Sequence, residues 1–128
     1  MKKLTTAKLK KKLDSVFSLY IRQVYANRTG NVFCYTCGRV VPWKQSQNGH
    51  FISRVYLATR FDENNCRPQC VGCNLFGNGK PLDFEENLVK EIGKKKVEAL
   101  KQKRHQITKD YPYASEIERY QKLLAEYD

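Results

Sequence analysis

NCRPQCVGCN, residues 65–74, carries a C-x2-C pair, Cys70 and Cys73, with an asparagine at each end, Asn65 and Asn74. A second pair, Cys34 and Cys37 in CYTC, lies upstream with 32 residues between the two. Each pair is read as a tight knuckle that offers two thiolates to one tetrahedral ion, so the two together are read as a structural zinc site. One C-x2-C alone would equally suit redox chemistry; two matched pairs favour zinc. The fifth cysteine, Cys66, is read as a small buried hydrophobe.

Working outward, 128 residues suggest one domain, 1–128, with a modest core. Residues 6–26 carry a helical apolar stripe, Leu9, Leu13, Val16, Phe17, Tyr20 and Val24, with Thr5 or Thr6 as cap and a basic opposite face at Lys8, Lys10, Lys11, Lys12 and Arg22. VFCYTCGRVVPW (32–43) reads as short β structure around the first knuckle, and Phe51 and Ile52 carry strand propensity. RVYLATRF (54–61) reads as a short helix or an irregular crossing, and a further short helix is expected from about Val71, stopped by Gly77 and Gly79. PLDFEENL (81–88) marks a helix start, with Asp83 as cap and Glu86 completing a capping box, and the helix is expected to continue to about Lys103 with Gly93 as a weak point. Ser115 with Glu118 repeats the capping pattern before a last helix striped by Ile117, Tyr120, Leu124 and Tyr127, which faces either the core or a second subunit. The expected fold class is therefore α+β: a zinc-stapled β/α centre over 32–80, flanked by the N-terminal helix and by C-terminal helices over 81–128.

The chain holds 24 basic against 13 acidic residues, a net charge of +11. Six lysines fall in the first twelve residues, and a second basic run covers Lys94 to Arg104. An excess of this size points to a polyanionic partner, although a solvated surface is its plainest alternative. No run is apolar enough for a membrane span, and TTAKLKKKLD after MKKL contains no apolar signal core. A cytoplasmic setting is expected, and in that setting five cysteines argue against disulfides.

His50 lies in QNGHFISR (47–54), between the knuckles, and is one of only two histidines. The order along the chain is C-x2-C, then Gly49-His50, then Asn65-x4-C-x2-C-Asn74. That order resembles the His-Me finger nucleases, also called ββα-metal or HNH. The resemblance implies that His50 is the general base, that Asn65 braces the connecting loop, and that Asn74 is a ligand of a divalent ion. A closer resemblance covers most of the chain. LDSVFSLYIR, CYTCGR, GHFISR, TRFDENNCRPQCVGCNLFGNG and EIERYQKLLAEY are similar to the phage lambda NinG (Rap) family of recombination proteins. It implies an Mg2+- or Mn2+-dependent endonuclease for branched DNA, such as Holliday junctions, D-loops and flaps, encoded by a phage or prophage and holding structural Zn2+.

The chemistry of these side chains fits independently. Neutral imidazole, with a pKa of about 6.5, can take a proton from water near pH 7. The amide oxygen of Asn74 suits a hard cation. Many HNH enzymes place Asp or His just before the base as another ion ligand; here that position is Gly49, read as leaving room for a phosphate to approach His50. Asn78 is a further candidate ligand if the helix reaches it, while Asp62 and Glu63 are read first as a polar turn. Arg54, Arg60 and Arg67, with Lys8, Lys11 and Lys12, are the candidate phosphate contacts, Arg54 foremost; ion pairing is the alternative for the arginines. Trp43 and the tyrosines could stack on unpaired bases, with core packing the commoner role, and His105 reads as an exposed bystander. Symmetric cutting of a junction would call for a homodimer. The competing function is a noncatalytic zinc module that binds DNA, followed by an RNA-binding factor or protein-interaction ribbon.

Overall fold

The computed structural model describes residues 4–127, so Lys2 and Lys3 of the N-terminal basic run lie outside the described residues. Helix α1 spans Thr6–Val24, and Thr5 caps it by accepting from the Lys8 amide at 3.2 Å. Its stripe buries Leu13, Phe17 and Ile21. Strands β1 (Asn31–Phe33) and β2 (Val40–Pro42) form an antiparallel pair around the first knuckle. After one 3-10 turn at Trp43–Gln45, strand β3 (Gln47–His50) pairs antiparallel with β4 (Cys66–Gln69), setting His50 opposite Cys66 and Gly49 opposite Arg67. Between them run the short helix α2 (Leu57–Arg60) and a 3-10 turn at Glu63–Asn65. A π-helix at Gly72–Phe76 follows the second knuckle, and then α3 (Pro81–Ile92), α4 (Lys94–Lys103) and α5 (Tyr113–Ala125).

The expected strand at Phe51 and Ile52 lies earlier, because the Asn65 side chain captures the Ile52 amide at 2.7 Å and ends the ladder at His50. The expected single helix to Lys103 breaks at Gly93, whose φ of 92° and ψ of 151° lie outside helical space. Asp83 does not cap: Pro81 opens α3 behind Lys80, which is left-handed at φ 49° and supplies no side-chain cap. Ser115 does not cap either. Helix α5 starts at Tyr113, and the Ser115 hydroxyl donates back to the Pro112 carbonyl at 3.2 Å.

Burial sorts into three clusters. The first joins α1 to α5 through Leu13, Phe17 and Ile21 against Tyr113, Ile117 and Tyr120, with Phe61 and Cys66 filling from the side. Phe17 meets the Tyr120 ring edge-on at 5.1 Å and 70°. The front of the α5 stripe is thus core, while Tyr127 at its end is exposed. Each such side chain, fully buried, contributes about 1.5–3 kcal/mol. The second cluster is the cysteines with Val41, and the third is Phe84, Leu88 and Val97 of α3 and α4. Among the described residues no helix is long and apolar enough to cross a membrane.

Candidate metal centre and histidine cavity

The Sγ atoms of Cys34, Cys37, Cys70 and Cys73 all lie within 4.8 Å of one another. Cys37 and Cys70 sulfurs stand 3.7 Å apart. A tetrahedral zinc with bonds of about 2.3 Å needs an S–S edge of about 3.8 Å, so the cluster has the right size. Gly38 turns the first knuckle at φ 78° and donates to the Cys34 carbonyl at 2.9 Å, while the Cys73 amide donates to Cys70 Sγ at 3.4 Å. Burial opposes ionisation of Cys34, but hydrogen bonds from the Cys70 backbone and from Thr36 outweigh it and bring that thiol to about 6. Burial among the other sulfurs pushes Cys73 up to about 12. Four thiolates therefore need a cation to coexist, and a soft S4 set suits zinc.

His50 closes strand β3, which pairs on one side only, with β4. Its Nε2–H donates to the Arg60 carbonyl at 2.9 Å, which leaves the lone pair on Nδ1. Burial, then the nearby Arg54 charge, lower its pKa below the usual value, against the opposing pull of the Arg60 and Asn48 carbonyls and of the Asp14 carboxylate. The ring is therefore neutral at pH 7. Asn65, fully buried, sutures the loop behind it: Oδ1 accepts from Ile52 N, and Nδ2 donates to the Ile52 and Thr59 carbonyls, both at 3.1 Å. Asn74, on the π-helix, donates from Nδ2 to Gln47 Oε1 at 2.7 Å, which leaves its Oδ1 for another partner.

His50, Asn74 and Arg54 line one cavity of about 450 Å³, together with Asp14, Ser18 and Arg22 of α1. A larger hollow of about 680 Å³, between the start of α1 and the entry to α5, is lined by no histidine or cysteine among the described residues. Asp14 escaped notice in the sequence, although a signal was present: it is the only acidic residue before Asp62. It grips Arg60, accepting from Nε at 2.9 Å and from Nη2, while Arg60 Nη1 donates to the Arg54 carbonyl at 2.9 Å. Asp14 thus steadies the residue whose carbonyl holds His50.

Several expected site residues lie elsewhere. Arg60, 12% exposed at its side chain, is committed to Asp14 and is not presented to phosphate. Arg67 is 2% exposed, bonded to both Glu91 oxygens at 3.2 Å and to the Glu63 and Cys66 carbonyls at 2.7 Å, between the Tyr25 and Tyr35 rings. It is a structural arginine. Asn78 stands beyond the helix, which stops at Phe76; it is left-handed at φ 54°, exposed, and outside the His50 cavity. Asp62 accepts from Asn64 N and pairs with Lys103 at 2.7 Å, and Glu63 accepts from the Tyr120 hydroxyl at 2.9 Å. Both therefore form a structural turn. Lys8, Lys11 and Lys12 are exposed on α1, and His105 is exposed after α4.

Gly49 leaves no room for a ligand. A Cβ there would meet the Gln69 side chain, with Oε1 at 2.0 Å, Cδ at 2.6 Å and Cγ at 2.7 Å. Gln69 is fully buried, and its amide nitrogen donates to Thr36 Oγ1 at 3.0 Å and to the Gly79 carbonyl at 2.9 Å. The glycine thus seats Gln69, which links β4 to the turn of the first knuckle and to the exit of the second.

A family model for "Bacteriophage Lambda NinG protein" matches residues 1–128. Protein ninG of Salmonella phage P22 is 29% identical over 116 residues, covering 88% of this chain and 55% of that protein. Protein ninG of Escherichia phage 933W is 28% identical over the same coverage. The chain spans about half the length of the curated relatives it matches. No solved structure matches it.

Proposed function

Because the chain belongs to the bacteriophage lambda NinG family, we propose that it is a metal-dependent endonuclease of the His-Me finger type, acting on branched DNA recombination intermediates. One observation carries this reading: a neutral histidine, oriented through Nε2 by the Arg60 carbonyl, shares a cavity with the free amide oxygen of Asn74. The strand–loop–strand–helix order around it, with Asn65 suturing the loop, supports the same reading.

His50 Nδ1 takes a proton from a water, whose oxygen attacks phosphorus. The bond from phosphorus to the 3′ oxygen breaks, and that oxygen leaves and acquires a proton. Asn74 Oδ1 is the group that would hold a divalent cation, Mg2+ or Mn2+, since it adds an oxygen ligand without negative charge and Asp14 is already committed to Arg60. Such an ion would stabilise charge on the phosphate and on the leaving oxygen. Arg54, exposed at the rim of the cavity, would hold the phosphate, and Lys8, Lys11 and Lys12 would follow the strand further along α1. Zinc in the four-cysteine site would stay closed to substrate and fix the π-helix against the knuckle between β1 and β2. Pairing of two copies would allow symmetric cuts at a four-way junction. The expected setting is the cytoplasm of a phage's bacterial host.

The test uses zinc-loaded protein, Mg2+ or Mn2+, and labelled four-way junction, flap and linear duplex DNA. Wild type is expected to cut branched DNA, and His50→Ala to abolish cutting while binding survives. No cutting of any branched substrate would leave a noncatalytic DNA-binding zinc module as the better account. Equal cutting by His50→Ala would remove His50 as the base.

A further inference from the structure

Arg22 lines the His50 cavity, but its charge is unanswered. Its Nε donates to the Ser18 carbonyl at 3.2 Å and to the Ser18 hydroxyl at 3.1 Å, and Nη1 donates to the Ser46 carbonyl at 3.4 Å. Its guanidinium lies over the Trp43 ring at 5.6 Å. The turn carrying Trp43 is itself tied, by the Ser46 hydroxyl donating to the Trp43 carbonyl at 2.6 Å. Two elements therefore fix this side chain before any ligand arrives. Nη2 has no acceptor among the described residues, and no carboxylate pairs with Arg22, whereas Arg60, Arg67 and Arg119 each have one. Asp14, the only acid lining the cavity among the described residues, is spent on Arg60. Burial alone lowers the Arg22 pKa, with nothing of opposite sign to restore it. A preorganised, part-buried cation without a counter-charge, in a polar cavity with Arg54 as a second cation, is built to receive an anion.

We propose that Arg22, held by Ser18 and Ser46 and backed by Trp43, is a phosphodiester subsite that takes a backbone phosphate of a nucleic-acid strand beside His50. Its place next to a cutting site rests on the nuclease reading above; its affinity for a phosphodiester does not. Trp43 is then a platform for cations rather than a stacking surface for bases, because the Arg22 guanidinium at 5.6 Å and Lys44 Nζ at 5.8 Å both lie over its ring.

Trp43 is the single tryptophan of the chain, so its fluorescence reports on this subsite directly. The experiment titrates zinc-loaded protein, without added divalent ion, with a short single-stranded oligonucleotide and separately with inorganic phosphate. Binding is followed by Trp43 emission and by anisotropy of a labelled oligonucleotide. The oligonucleotide should change the emission saturably at concentrations where phosphate does not. Arg22→Gln should weaken binding about tenfold or more, the loss expected for charge-assisted hydrogen bonds. Arg22→Lys, which keeps the charge without the fork, should fall between, and it serves as the informative variant if Arg22→Gln loses its zinc or melts early. Unchanged oligonucleotide affinity in folded Arg22→Gln and Arg22→Lys overturns the subsite. Equal affinity for inorganic phosphate and oligonucleotide overturns the assignment to a strand. Arg22-dependent binding in a wild type that never cuts would sink the nuclease reading alone, while cutting that is indifferent to both Arg22 variants would sink the subsite alone.

Discussion

Gly49→Ala separates two explanations of the residue beside His50. If Gly49 serves to admit a phosphate, alanine should leave stability near wild type and weaken only DNA work. The structure says otherwise. The new Cβ would sit 2.0 Å from Gln69 Oε1 and 2.6 Å from its Cδ, where optimal separation is about 3.5–4.0 Å. Gln69 must move by more than an ångström, yet it is fully buried and tied to Thr36 and Gly79. Two lost hydrogen bonds cost about 1 kcal/mol each. Overpacking adds about 1–3 kcal/mol, and relief of glycine's backbone entropy returns roughly 0.5–1 kcal/mol. The net is about 3 kcal/mol of destabilisation, or roughly 10 °C in Tm for a chain of this size. Denaturant unfolding at fixed free zinc measures it. A double variant, Gly49→Ala with Gln69→Ala, should be little worse than Gln69→Ala alone, because the clash disappears with the side chain. A Gly49→Ala loss below about 1 kcal/mol, or strict additivity in the double variant, would refute the reasoning.

Three further outcomes are expected. Chelating zinc should loosen the Cys34–Cys73 region, forfeiting an apparent binding energy of about 10–16 kcal/mol, while the α1–α5 core retains helical circular dichroism; loss of all helix would show that the clusters are not separate. The His50 imidazole should titrate below 6.5 by NMR. The unfolded chain then takes this proton first, so stability falls as pH drops from about 6.5 through the folded value, while cutting persists at pH 6.5; a midpoint above 6.5 would contradict the burial argument. Arg67→Lys should cost about 2–3 kcal/mol in urea melts, since lysine cannot span Glu91 and two carbonyls. It should not alter the salt slope of DNA binding, and a reduced slope would return Arg67 to the phosphate contacts.

The cysteine pairs, the helical stripe of α1 and the order of His50, Asn65 and Asn74 were all readable in one dimension, because each depends on local spacing. The arginines were not. Arg54, Arg60 and Arg67 look alike in sequence, and they part only through partners brought from 46 positions upstream, at Asp14, or 24 downstream, at Glu91. Gly49 is illegible in sequence for the same reason: its neighbour is Gln69, across a strand pair whose register the sequence does not state. The capping patterns at Asp83 and Ser115 were locally sound, yet Pro81 and Tyr113 start their helices earlier. Asp14 was visible as a lone acid in a basic stretch, but its purpose appears only where α1 meets Arg60 at the end of α2.

Cys73 and Asn74 are adjacent on the π-helix, one turned to the sulfur cluster and the other to the His50 cavity. On the proposed reading, structure and chemistry share one peptide bond. A freshly made chain without zinc would hold neither wall of that cavity firmly, because β3 lies between the two cysteine pairs and the π-helix carries Cys73. Its hydrolytic power would then be dormant at synthesis, and licensed only when the host's zinc has been captured.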